Sequence, residues 1–262
     1  MKQKIFFLGL AALLIFSSCQ KVITIDLNKT NPQLVVDGQI TDQPGPYIVK
    51  LTETTDFFTP GAYPQIKGAI VTITDLQGIT ETLQNMDNGT YQTAKLSGTP
   101  GHTYVLNISY GGKSYTATSS MPMPVDIDSM TYGWDLSGRR PRLTLHGYFT
   151  DPQGINNYYR MHFLRNDSLM DSSNFLIYSD DKVDGKQAVI NYRRGINIGD
   201  SITLQLMCID KGVYDFYRTA NDILGRSQIT SAAPSNPLSN MSAGAVGCFT
   251  AYTIRQKKIL LQ

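Results

Sequence analysis

Three cysteines, three histidines and one acidic cluster are the side chains of this 262-residue chain with the strongest claim to chemistry. Asp180-Asp181 with Asp184-Gly185 could supply oxygens to Ca²⁺, a hard cation that prefers carboxylates and carbonyls. The segment lacks the alternating acidic spacing and the distal bidentate glutamate of a dedicated loop, and it reads as a solvated hairpin turn. His102, His146 and His162 have no partner at metal-ligand spacing. Gly112-Lys113-Ser114 has the ending of a phosphate-binding loop, but Asn107 stands where the first glycine belongs. The segment also joins two strand-like runs instead of opening a helix, so it reads as a hairpin turn. No serine sits in a Gly-x-Ser-x-Gly elbow, and no carboxylate pair stands in a helical context. These residues predict a chain that is not an enzyme and that needs neither metal nor cofactor.

The cysteines divide into one and two. Cys208 and Cys248 both lie in apolar, strand-like segments. Outside the cytoplasm such a pair can form a disulfide; two buried free thiols are the equal alternative. Cys19 has a different setting. Residues 1–18 carry Lys2 and Lys4, an apolar run from Ile5 to Phe16, and the small pair Ser17-Ser18. The run is too short to span a bilayer and has the length of a signal h-region. Directly before Cys19 this pattern resembles a bacterial lipobox, with Phe16 where leucine is usual. The expectation is a signal peptide over 1–18, acylation of Cys19 and a lipidated tether over 19–31. Attached acyl chains hold a protein to a membrane by about 0.8 kcal/mol per buried methylene.

Charge excludes one large class of partners. The chain has 23 Lys+Arg and 21 Asp+Glu, a net charge of +2. Lys2 and Lys4 account for that excess, which leaves the body neutral. A neutral body has no electrostatic footprint for nucleic acid. The basic group Arg255-Gln256-Lys257-Lys258 reads as a C-terminal tail.

The elements that must position these groups are strands. From residue 33 onward the apolar pattern has period two. Strands are expected at 33–40, 47–52, 68–74, 79–84 and 90–93, and a hairpin at 103–110 and 113–120. Pro/Gly and Asn-Gly turns separate them. This is the pattern of a β-sandwich domain over 32–121. Met121-Pro122-Met123-Pro124 can enter neither a helix nor a central strand and closes the unit. A β-rich C-terminal domain follows over 125–262. Its strands are expected at 125–134, 140–150, 157–165, 174–179, 186–192, 201–210 and 248–254. One helix is expected at 213–224, with Phe216, Ala220, Ile223 and Leu224 on one face and Gly225 as its stop. Residues 231–247 read as a long loop.

Several segments in this order resemble a known family. They are Leu34–Thr41, Gly45–Leu51, Gly68–Val71, Gly101–Leu106, Asp151-Pro152 with Asn157–Arg160, Asn236-Pro237 with Asn240, and Gly244–Phe249. Behind a lipobox cysteine they are similar to a Bacteroidota lipoprotein family known as domain of unknown function 4249, across essentially the whole mature chain. The resemblance implies an immunoglobulin-like or transthyretin-like N-terminal sandwich, a β-rich C-terminal part and no catalytic residues. It also implies an outer-membrane location, on the periplasmic or the surface side, and a TonB-dependent transporter as partner. Cys248 stands where the family more often has an aromatic residue. Asp128-Ser129-Met130, Asp167-Ser168-Leu169 and Asp200-Ser201-Ile202 fit the O-glycosylation pattern of that bacterial group, although Asp-Ser is also common at turns.

Aromatic side chains supply the remaining candidates for contact. Phe57, Phe58 and Tyr63 lie in a Pro/Gly loop, where large apolar groups have little packing reason to be. Trp134 is the single tryptophan and a candidate sugar platform. The loop from Phe57 to Tyr63 and the 231–247 loop are the expected contact regions. The function expected is a binding module that works with the transporter; the alternative is a surface module for a glycan or another polymer.

Overall fold

Leu34, Val36, Gly38 and Ile40 alternate with Val35, Asp37 and Gln39, which gives the first strand one dry face and one wet face. The same alternation recurs along the chain. The computed structural model describes residues 32–55, 61, 63–170, 174–226 and 236–262. Within them the N-terminal strands are β1 (Leu34–Thr41), β2 (Ile48–Glu53), β3 (Ile70–Asp75), β4 (Thr80–Thr82), β5 (Gln84–Asn85), β6 (Thr90–Gln92), β7 (Thr103–Tyr110) and β8 (Lys113–Ser120). The later strands are β9 (Ser129–Asp135), β10 (Arg142–Thr150), β11 (Tyr158–Arg165), β12 (Ser168–Leu169), β13 (Leu176–Ser179), β14 (Gln187–Tyr192), β15 (Ser201–Ile209) and β16 (Val246–Leu260). The helix α1 (Lys211–Arg226) lies between β15 and β16. The chain is mainly β, with one helix among the described residues and sheets that pack in sandwich fashion.

One nine-stranded sheet carries the molecule. Its order is β12-β11-β15-β16-β1-β2-β6-β5, with β13 also paired to β11. Two smaller sheets, β4-β3-β7-β8 and β14-β10-β9, lie against the same face of it. The first closes a core that includes Val36, Ile40, Leu51, Ile73, Tyr104, Leu106 and Phe249. The second closes a core that includes Leu145, Phe149, Tyr159, Phe163, Leu204 and Leu206. Burial on this scale stabilises at roughly 25 cal/mol per Å² of apolar surface. The opposite face of the large sheet carries Met207, Ile209, Cys248 and the buried stripe of α1.

β16 joins the two halves. Its first half runs parallel to β1, from Val246 opposite Val35 to Tyr252 opposite Thr41. Its second half runs antiparallel to β15, from Thr253 opposite Cys208 to Leu260 opposite Ser201. The basic group at 255–258 is therefore strand, not tail. Arg255 reaches Asp42 (2.6 Å) and Asp126 (3.3 Å), Lys257 donates to the carbonyls of Ile127 and Asp128, and Lys258 meets Asp167 (2.9 Å).

Each half of β16 has one edge with no strand beside it, and side chains take over there. The Asn240 amide accepts from the N–H of Phe249 (3.0 Å) and donates to its carbonyl (2.7 Å). The Asp42 carboxylate accepts from the N–H of Ile254 (2.9 Å) just where β1 stops. Buried backbone groups need such partners. Gly247 starts the parallel pairing with φ +102°, and a Cβ there would lie 2.0 Å from the Val36 carbonyl oxygen. Only glycine permits that approach.

The helix starts at Lys211, capped by Asp210, whose Oδ1 accepts from the N–H of Val213 (2.9 Å). Its buried stripe is Val213, Tyr217 and Ala220. The face expected from sequence overlaps this stripe at Ala220 and is rotated from it by part of a turn. Phe216 and Ile223 are only partly buried, and Leu224 is exposed. The face that meets the sheet is the one whose Val213 and Tyr217 pack on Met207, Ile209 and Cys248. Gly225 is still helical.

Candidate functional site

The wet face of the large sheet bears a groove of about 490 Å³ between α1 and the β1–β16 pair. Alternation decides what lines it. Arg160 and His162 point to this side of β11, while Tyr159, Met161 and Phe163 fill the core behind. Asp37 and Gln39 of β1 and Thr250 and Tyr252 of β16 complete the polar lining.

Arg160 is the centre of the groove. Its guanidinium carbon lies 4.2 Å from the ring centroid of Tyr217 and 5.5 Å from that of Phe175. One of its nitrogens donates to the Tyr217 hydroxyl. Such cation–π contacts hold a weakly hydrated guanidinium in place. Among the described residues, no carboxylate lies within ion-pair distance of Arg160. Its charge is therefore available to a ligand. The Tyr252 hydroxyl donates to the Gln39 side chain (3.2 Å), which orders the far wall.

Burial holds four groups of the groove, His162, Cys248, Tyr217 and Tyr252, in their neutral forms. Burial pulls His162 down to about 4, with the Arg160 charge adding, against a hydrogen bond from the imidazole N–H to Gln205 that raises it. Burial pushes the Cys248 thiol up to about 12. Burial likewise raises Tyr217 and Tyr252. A thiol of this kind is not a nucleophile at neutral pH.

The two later cysteines are not bridged. Both are free and buried. Cys208 belongs to the core on one face of the large sheet and Cys248 to the cluster on the other, so the sheet itself separates them. Of the two arrangements open from sequence, the structure has the free thiols.

The aromatic candidates are dispersed. Trp134 stands on the strand β9 at the rim of its sheet and is 59% exposed; Tyr63 is 65% exposed. Phe57, Phe58 and Cys19 lie outside the described residues, as does 231–235 of the expected contact loop. The described part of that loop is bound to the sandwich instead. Asn240 secures Phe249, and Ser242 exchanges hydrogen bonds with Thr116 (2.8 Å each). His102, just before β7, pairs with Asp75 (2.8 Å), and His146 in β10 pairs with Asn191 (2.6 Å), both structural contacts.

Sequence reasoning missed Arg160 as a site residue and misread the acidic turn. Period-two alternation was the signal for Arg160, since it placed a cation on the face away from the core. The turn is not simply solvated. Asp180 is buried and joins Asp151 and Asp184, with one carboxylate oxygen from each within 4.8 Å of the others. Asp181 points elsewhere, to Ser179. Asp151 comes from the β10–β11 connection, 29 positions earlier in the chain, which no local spacing could reveal.

No helix of the described residues is long and apolar enough to cross a membrane. No curated protein matches the chain. A family model does, over residues 20–258, and by that match the chain belongs to the family of domain of unknown function DUF4249.

Proposed function

We propose that this protein is a lipoprotein of the outer membrane, anchored through Cys19, that binds its ligand without transforming it and serves a TonB-dependent transporter as an accessory. The observation that supports binding is the groove around Arg160. It presents a cation held over two aromatic rings, with no acidic partner among the described residues. Its thiol and imidazole are kept uncharged, which suits recognition better than proton transfer. The leader ahead of Cys19 supports the anchor. The chain between Cys19 and Leu34 reaches at most about 50 Å, enough to place the groove beside a membrane-embedded partner.

The test is co-purification of the full-length, lipidated protein from outer membranes in mild detergent. The transporter should be retained by the native chain and lost with Arg160→Ala. Recovery of a clean monomer from the native chain would count against the proposal. Trp134 favours a second reading, because an exposed tryptophan on a sheet rim is suited to stacking on a sugar ring. That reading expects saturable glycan-array binding that disappears in Trp134→Ala.

A further inference from the structure

Asp151 is 1% exposed and Asp180 is 4% exposed, and each carries a carboxylate close to that of the exposed Asp184. Among the ion pairs of the described residues, none joins a Lys or Arg to any of the three. Two buried like charges with a third beside them are costly unless something neutralises them. Hydrogen bonds account for part of the cluster. The Tyr159 hydroxyl donates to Asp151 Oδ1, the N–H of Asn157 donates to Asp180 (2.7 Å), and the N–H of Gly154 donates to Asp184 (2.6 Å). Among the described residues Asp151 Oδ2 makes no close hydrogen bond, although it is sealed from solvent. A buried carboxylate oxygen without a close donor, next to two more carboxylates, is chemically suited to a cation.

We propose that Asp151, Asp180 and Asp184 form a Ca²⁺ site that fastens the β10–β11 connection to the β13–β14 connection. The donor set is all oxygen and anionic, which is the chemistry of a hard divalent cation and not of zinc or copper. The exposed side of Asp184 leaves the remaining coordination positions to water. The position gives the ion a mechanical task. β10 and β14 belong to the covering sheet, whereas β11 and β13 belong to the large sheet. Ca²⁺ would therefore tie the two layers of the C-terminal sandwich at one end. Burial above all pushes the Asp151 carboxyl up, with Asp180 and Asp184 adding to it, against the Tyr159 hydroxyl and the Gly185 N–H that draw it down. A bound dication removes the like-charge part of that penalty.

The experiment uses the purified protein stripped with chelator and then titrated with CaCl₂ in a calorimeter. Terbium luminescence excited through tyrosine is a second readout, because Tyr159 touches the site. One-site binding is expected, with a thermal midpoint that rises in Ca²⁺ and returns in EDTA. Asp184→Asn should weaken binding by roughly ten-fold or more, since it removes one of the anionic ligands. Asp184 is exposed, so this variant does not depend on repacking the core, and its chelated form should be no less stable than the native chain. Asp181→Asn, next door but outside the cluster, should bind as the native protein does. Absence of heat and of terbium luminescence in the native chain overturns the proposal. So does an affinity that is unchanged in Asp184→Asn.

Discussion

The Ser119 hydroxyl donates to the carboxylate of Asp210 and at the same time accepts the N–H of Ala251 at 2.9 Å. Three elements meet in this pair. Ser119 is in β8 of a covering sheet, Ala251 is in β16 of the large sheet, and Asp210 caps α1. Asp210 also accepts the N–H of Ser120 (3.1 Å). Asp210→Ala therefore removes a helix cap, worth about 1 kcal/mol, and strips Ser119 of a charged acceptor, worth about 1–3 kcal/mol. Urea unfolding should show a loss of about 2–3 kcal/mol. Asp210→Asn keeps an oxygen for the cap and should lose roughly half as much. An unchanged midpoint in Asp210→Ala would show that the link contributes nothing to stability.

Glycine at 247 has no substitute. Its φ of +102° and the 2.0 Å approach of a Cβ to the Val36 carbonyl both forbid a side chain. Gly247→Ala must push β16 away from β1, where the two halves of the molecule are joined. The expected cost is about 3 kcal/mol or more. Gly244 is the control. It also has positive φ, +73°, but nothing lies near the Cβ position, so Gly244→Ala should cost only about 1 kcal/mol. Equal losses in the two variants would mean that backbone conformation alone, not the approach to β1, sets the penalty.

The strands were largely legible because a half-buried strand writes its two faces into alternate residues. The expected helix was there as well, since Val213, Tyr217 and Ala220 recur at helical spacing. What alternation does not encode is the neighbour across a sheet. The second half of β16 reads as a tail because Arg255, Lys257 and Lys258 look solvated, yet their ammonium and guanidinium groups end on Asp42, Asp126, Asp167 and two carbonyls far away in sequence. Long side chains of this kind cover apolar surface with their stems and keep the charge outside. Asp151 was illegible as a partner of Asp180 for the same reason. The helix face was read only in part, because Val213 and Tyr217 meet Met207, Ile209 and Cys248 of the large sheet, a contact with no signal in local spacing.

Both thiols should be inert in the native protein. Burial pushes Cys208 up to about 11 and Cys248 up to about 12. Thiolate is the reactive species, so alkylation at pH 8 should be slow in the native fold and rapid in denaturant. Cys208 and Cys248 should both be modified in denaturant without any reductant. Dependence of that modification on reductant would reveal a bridge and contradict the separation of the two residues by the sheet.

His162 gives the stability a pH dependence with a defined sign. Burial and the neighbouring Arg160 lower its pKa from an ordinary 6.5 to about 4. Between those values the unfolded chain binds a proton that the folded chain does not. Its contribution to stability is therefore complete above about pH 6.5 and is lost as the pH falls toward 4. The group is not fully buried, so solvent screening reduces the effect to about 1–2 kcal/mol. His162→Gln removes the titration and leaves a side chain able to hydrogen-bond with Gln205. Carboxylates also titrate in this range, so the informative quantity is the difference between the two chains. That difference should shrink in favour of the variant between pH 7 and pH 4, measured by urea unfolding at each pH. A difference that stays constant would place His162 in water, with the mouth of the groove around Arg160 open to solvent.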